Sequence, residues 1–249
     1  MSDSQLVGLA KDFFQNSLDS SPTSAIMRGH KKYFDQIEEL TEEQFQKEKD
    51  IVDTFIQRLN AIEKDNLTSR EKVTHGMLEF ALSSNKDSLL DRSWEFGAGV
   101  AGFTGFLIDY NQQMFVPDSE SADMMLKRLE LYKRLYTQIA DVQKLGLNNN
   151  RVATERNLLR TIDQLENYLA SSLDQDPLLL VNFSPEISDS EISEWKDKAK
   201  KIIEVNIRPT VSAYLDQLKT EHLPKGRGDD NCGIMWIDGG EESYLRSLR

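Results

Sequence analysis

An all-α fold, built as a multi-helix array with one or two short extended segments near 178–183 and 233–237, is what this sequence predicts. Three observations carry the expectation. Apolar residues recur at i, i+3, i+4 spacing along most of the chain. Ser or Thr followed three residues later by Glu or Gln, the spacing of a reciprocal N-cap, introduces several of those stretches. Only two segments depart from the helical period, and each is flanked by Pro or Gly.

The elements follow in order. Leu6, Leu9, Ala10, Phe13, Phe14 and Leu18 form a first amphipathic helix, which Ser20-Ser21-Pro22 breaks. Thr41-Glu42-Glu43-Gln44 caps a second that carries Phe45, Ile51, Val52, Phe55, Ile56, Leu59 and Ile62. Thr68-Ser69-Arg70-Glu71 repeats the device before Val73, Met77, Phe80 and Ala81, whose spacing marks them as that helix's core stripe. A long helix from Ser119 to Leu145 bears Met125, Leu129, Tyr132, Leu135, Tyr136 and Ile139. Asn148-Asn149-Asn150 turns the chain, and Val152, Leu158, Leu159, Ile162, Leu165 and Leu169 continue the pattern to about Ser172. Ser188-Asp189-Ser190-Glu191 caps a helix with Ile192, Trp195, Ala199, Ile202 and Ile203, which runs through Arg208-Pro209 with a kink toward Leu223. The departures are Leu178 to Phe183, between Pro177 and Pro185, and Gly233 to Ile237; either suits a short strand or an extended loop. No fixed-period repeat and no long Pro/Gly-rich linker divides residues 1–249, which read as a single helical domain.

Composition narrows the function classes. With 249 residues, 39% hydrophobic and 29% charged, the chain is globular and long enough for a sizeable core. A net charge of −12 opposes the basic footprint of a nucleic-acid binder, though it suits solubility and cationic substrates. No run of about 18 apolar residues suggests a membrane span, and Met1-Ser2-Asp3-Ser4-Gln5 lacks the basic, then apolar, start of a secretory signal. One cysteine, Cys232, precludes an internal disulfide and fits a reducing compartment, so the cytoplasm is expected. Its flank Asp229-Asp230-Asn231 disfavours a nucleophilic thiolate.

Catalytic motifs are scarce. A catalytic zinc needs three protein ligands, yet His30, His75 and His222 show no i, i+4 pairing and none is followed by Glu. His30 and His222 read as surface residues, and His75 as packed at the core edge. Gly97-Ala98-Gly99-Val100-Ala101-Gly102 matches Gly-x-Gly-x-x-Gly as a string, but Leu89 to Phe96 is not the buried strand that a dinucleotide site requires before it. A close helix crossing accounts for the glycines, and a substrate-side loop is the other reading. No Gly-x-Ser-x-Gly elbow singles out a serine.

The last forty residues carry the most specific pattern: Asn206-Ile207-Arg208-Pro209, Leu223-Pro224, Gly233-Ile234-Met235-Trp236-Ile237-Asp238-Gly239-Gly240, and Tyr244-Leu245-Arg246. Upstream, Pro22, Gly29 and Tyr33-Phe34-Asp35 precede long amphipathic helices. On these residues the chain resembles the N-terminal half of the bacterial family known as domain of unknown function 885. That family is helical and resembles zinc metallopeptidases, with a His-Glu-x-x-Pro-Gly-His signature well downstream of this tail. The resemblance implies a scaffold and substrate-cleft half with no catalytic residue, cofactor or metal of its own. It is then inactive alone, and zinc is expected only with the missing C-terminal half. The implied partners are a peptide substrate and that second half, or self-association in its absence. A non-catalytic helical binding protein is the alternative.

The tail also suggests where a substrate would touch. An extended peptide bonds to the exposed main chain of an edge strand, and Gly233 to Ile237 followed by Gly239 and Gly240 offers a short apolar strand that another backbone can approach. Tyr244 and Arg246 would add a hydroxyl and a charge. The plainer alternative is a turn in which the glycines serve backbone geometry, Trp236 is core and Arg246 is solvated.

Overall fold

The computed structural model describes residues 5–98 and 111–248. Helices α1 (Gln5–Asp19), α2 (Pro22–Met27), α3 (Glu42–Asn60) and α4 (Ser69–Asp91) lead the chain. The remainder holds α5 (Ser119–Asn148), α6 (Glu155–Ala170), α7 (Asp189–Ile202), α8 (Arg208–Gln217) and α9 (Gly240–Ser247). Among the described residues the only sheet is β1 (Phe115–Val116) lying parallel to β2 (Asn182–Phe183). The all-α expectation holds. Of the predicted extended segment 178–183, Pro177–Leu179 is a three-ten turn and only Asn182–Phe183 is strand. Residues 99–102 of the glycine string lie outside the described residues.

Two of the three predicted caps form reciprocally, while Thr41 only accepts from the Gln44 N–H, at 3.1 Å. Thr68 Oγ1 accepts from the Glu71 N–H at 3.3 Å while the Thr68 N–H donates to the Glu71 carboxylate at 3.0 Å, and Ser188 and Glu191 repeat the exchange at 3.3 and 3.0 Å. Each pair satisfies two of the backbone donors that a helix start leaves open. The kink near Pro209 is a wide turn, Ile203–Ile207, with π-type hydrogen bonding. Proline supplies no N–H and its ring crowds the carbonyl four residues back, so the ladder opens ahead of it. A second wide turn, Leu218–His222, precedes the stop at Leu223-Pro224.

Two apolar clusters result. The larger centres on α5, whose Met125, Leu129, Tyr132, Leu135 and Tyr136 are fully buried against Trp195, Ile203, Ile207, Val211 and Tyr214. The smaller joins α1, α3 and α4 through Leu6, Leu9, Val52, Phe55, Leu59, Leu78 and Leu82. Here the structure corrects the sequence reading. The core face of α4 is His75, Leu78 and Leu82, whereas Val73, Met77 and Phe80 are exposed. His222 is likewise buried rather than on the surface, its Nδ1 3.4 Å from the Gln217 carbonyl.

The Arg208 of the tail pattern is structural. Its Nε and Nη2 reach the buried Asp176 carboxylate at 3.1 and 2.9 Å, and Nη1 donates to the Ser171 carbonyl at 3.0 Å, which ties α8 to the end of α6. Tyr168 packs beneath the guanidinium, and burial, then the neighbouring Asp176 charge, pushes its hydroxyl far above the ordinary tyrosine range.

Asp118 caps α5 by accepting from the Ser121 N–H at 2.9 Å and hydroxyl at 2.8 Å, and it pairs with Lys31. Lys31, then Ser121, hold its carboxyl down to about 2. A group whose folded pKa is depressed favours folding above its ordinary value of ~3.9 and loses that contribution as pH falls through the folded value. Asp118→Ala is therefore expected to lower Tm by a few degrees at pH 7, with the gap to the unsubstituted protein closing between about pH 4 and 2. A pH titration of both melting curves checks this.

No helix among the described residues is long and apolar enough to cross a membrane.

Candidate functional site: the α4–α9 groove

The extended segment expected at 233–237, as strand or loop, does not form. Ile234–Trp236 is a three-ten turn, Ile237 alone is buried, and Met235 and Trp236 project outward. The cause is the compact route into α9. The Ile237 N–H donates to the Ile234 carbonyl at 3.1 Å and the Gly240 N–H to the Ile237 carbonyl at 2.9 Å, so these groups are spent locally instead of lining an edge. The two glycines make the route possible. Gly239 sits at φ 71, and a Cβ on Gly240 would fall 1.7 Å from the Ile234 carbonyl oxygen.

This turn is clamped by a buried ion-pair hub. Glu95 has a fully buried carboxylate, met by Arg92 Nε at 2.8 Å and Arg151 Nε at 2.6 Å. The two remaining nitrogens of Arg151 donate to the carbonyls of Asp91, at the end of α4, and Asp238, just before α9. Phe96 stacks beneath Arg151 with 5.1 Å between the guanidinium carbon and the ring centroid. A cation at a helix C-terminus also meets the negative end of the backbone dipole. α5 approaches closely at Gly146, where a Cβ would lie 2.3 Å from the Glu95 carbonyl oxygen.

Held this way, α9 lies along the end of α4 and leaves a groove of about 380 Å³ between them. Arg246 crosses its floor: Nε bonds Asp91 Oδ1 at 2.6 Å and Nη2 meets Ser243 Oγ at 3.1 Å. Asp87 adds a second carboxylate, and Ser83, Ser84, Ser88, Ser93 and Ser247 line the walls with hydroxyls that can both donate and accept. Phe80 forms an apolar rim. Such a lining suits a main chain, whose N–H and C=O groups need both kinds of partner.

Of the four residues singled out in the sequence, only Arg246 lines this groove, and it is ion-paired rather than solvated. Tyr244 lies on the exposed side of α9, whereas Gly239 and Gly240 shape the turn behind it. Sequence reasoning missed Asp91, Glu95 and Arg151. A signal existed: Glu95 stands between Trp94 and Phe96, and Gly146 interrupts a long helix, as residues do where a backbone comes close. His30, His75 and His222 fall on separate elements, and no group of three or more His, Cys, Asp or Glu among the described residues is placed to hold a metal. These residues do not fit a zinc site. Cys232 is exposed and unpaired.

Fold and groove define the class: an all-α scaffold with an open, hydroxyl-lined cleft between two of its helices. The chain belongs to the family described as bacterial protein of unknown function (DUF885), whose profile matches residues 22–249. Among solved structures it is similar to a protein titled a "putative lipoprotein" from Colwellia psychrerythraea, at 14% identity and a TM-score of 0.81 over 100% of this chain. That likeness concerns fold alone, and this chain spans only 46% of that protein's length. No curated protein matches the sequence.

Proposed function

We propose that this chain is the N-terminal scaffold of a zinc-peptidase-like protein, that the α4–α9 groove forms one wall of its substrate cleft, and that metal and general base belong to the second half of the fold. The observation that carries the proposal is the groove itself: five serine hydroxyls, four of them between Ser83 and Ser93, and the Arg246 guanidinium of the tail, fixed by Asp91, form a polar trough between α4 and α9. The similarity of the whole chain to 46% of a longer protein supports the division into halves. On this reading Arg246 contacts a substrate carbonyl or carboxylate, Tyr244 stands at the cleft's outer edge, and Gly239-Gly240 hold α9 in position.

The test is kinetic. In a protein reconstituted from both halves, Arg246→Ala is expected to raise KM for a peptide about tenfold with kcat little changed, the signature of lost uniform binding. Tyr244→Phe should alter kcat/KM about twofold. Unchanged kcat/KM in Arg246→Ala, with Tm retained, would remove the groove from the cleft. The alternative, a non-catalytic helical interaction protein, draws support from the exposed Met235, Trp236, Tyr244 and Leu245. It predicts that reconstitution produces binding without turnover.

A further inference from the structure

α4 is apolar on two sides. Leu78 and Leu82 face the small core, while Val73, Met77 and Phe80 point away from it, 62%, 68% and 68% exposed. Spacing of i, i+4 and i+7 places those three in one stripe. Gly76 lies in the same stripe, three residues after Val73 and four before Phe80. Glycine is among the least favourable residues in a helix interior, and here nothing lies within 4 Å of where a Gly76 Cβ would sit. Among the described residues no contact calls for glycine at this point. Close approach by another backbone does.

Phe80 also lines the groove with Arg246 and Ser247, and α9, which packs on α4, carries the exposed Tyr244 and Leu245. Scattered exposed apolar residues are ordinary, but three large ones at one helical spacing around an interior glycine suit an interaction surface. The fold suggests the occupant. A protein of similar fold is more than twice as long, this chain covering 46% of it, so more than half of that protein's length lies outside the shared part.

Resting on the scaffold reading above, we propose that the Val73–Met77–Phe80 stripe seats an amphipathic helix of the second half of the fold, which crosses α4 at Gly76. Its apolar residues, at matching i, i+3/i+4, i+7 spacing, fill the stripe as a ridge fills a groove. The docking also closes the apolar rim of the α4–α9 groove at Phe80.

The test is co-expression of this chain with the second half taken from a full-length family member at least about half identical to it over the shared region. Affinity purification through a tag on this chain follows. The expected result is a 1:1 complex whose recovery falls at least tenfold with the double substitution Met77→Glu and Phe80→Glu, and similarly with Gly76→Leu. The exposed Leu159 on α6 is the control, and Leu159→Glu should leave recovery unchanged. Melting of the chain alone guards against misfolding: Gly76→Ala should raise its Tm by a few degrees. A complex that forms equally well with the stripe variants overturns this inference and leaves the scaffold reading standing. Failure of the unsubstituted chain to capture the second half overturns both. A discrete homodimer abolished by the same substitutions would assign the face to a second copy and overturn the proposal.

Discussion

Arg151→Ala is expected to destabilise the fold by about 3–5 kcal/mol, the cost of removing one partner from a buried ion pair. The side chain bridges three parts of the protein, namely the buried Glu95 carboxylate, the Asp91 carbonyl that ends α4, and the Asp238 carbonyl that leads into α9. Its loss leaves Glu95 with Arg92 alone and strips two carbonyls of their donor. For a chain of this size, each kcal/mol corresponds to about 2–4 °C, so Tm should fall by roughly 6–20 °C. Arg151→Lys should recover less than half of that, since a point charge cannot serve three acceptors as a planar fork does. Thermal melting of both variants checks the prediction. A loss below about 1 kcal/mol would mean that the pair behaves as a surface ion pair, open to water.

Gly240→Val is expected to cost about 3 kcal/mol, at the upper end for overpacking, because the obstacle is backbone. Its Cβ would overlap the Ile234 carbonyl oxygen at 1.7 Å, and Ile237 stands 3.1 Å away on the other side. The turn cannot shift without drawing α9 off α4, which would separate Arg246 from Asp91. Gly228→Ala is the matched control, since a Cβ there meets nothing within 4 Å, and it should fall within about 0.5 kcal/mol of the unsubstituted protein. Hydrogen exchange in α9 reads the local effect: protection lost in Gly240→Val and kept in Gly228→Ala. Retained protection in both would show that the turn has room to spare.

The sequence made local chemistry legible where each residue and its partner are near neighbours. Thr68 with Glu71 and Ser188 with Glu191 lie within one helical turn, so spacing alone predicts their caps. Pro209 likewise announces a disturbance in the helix that contains it, although not that the ladder would widen rather than break. On α4 the periodicity was present but ambiguous. Met77 and Phe80 fit one stripe as well as Leu78 and Leu82 fit another, and only packing against α1 and α3 decides which is core. The tail misled for a related reason. Gly233 to Ile237 has strand-like residues, but local pattern cannot reveal that Gly240 will fold back on Ile234.

The site was less legible than the fold. Arg208 stood out in the tail pattern, but its partner Asp176 lies 32 residues away, and nothing in the spacing joins them. Arg246 was named as a candidate, yet Asp91, which fixes its orientation, is 155 residues upstream. Partners so distant in sequence are brought together only by the completed helix packing, so an account built on neighbours finds one member of each pair and misses the other.

The central claim, that this chain supplies scaffold and cleft but not the chemistry, is tested most directly by metal analysis and a peptide hydrolysis assay on the purified chain, with and without the second half. The account predicts less than stoichiometric zinc and no turnover above the blank for the chain alone. It predicts zinc-dependent turnover once the second half is added. Stoichiometric zinc and robust hydrolysis by the chain alone would contradict it.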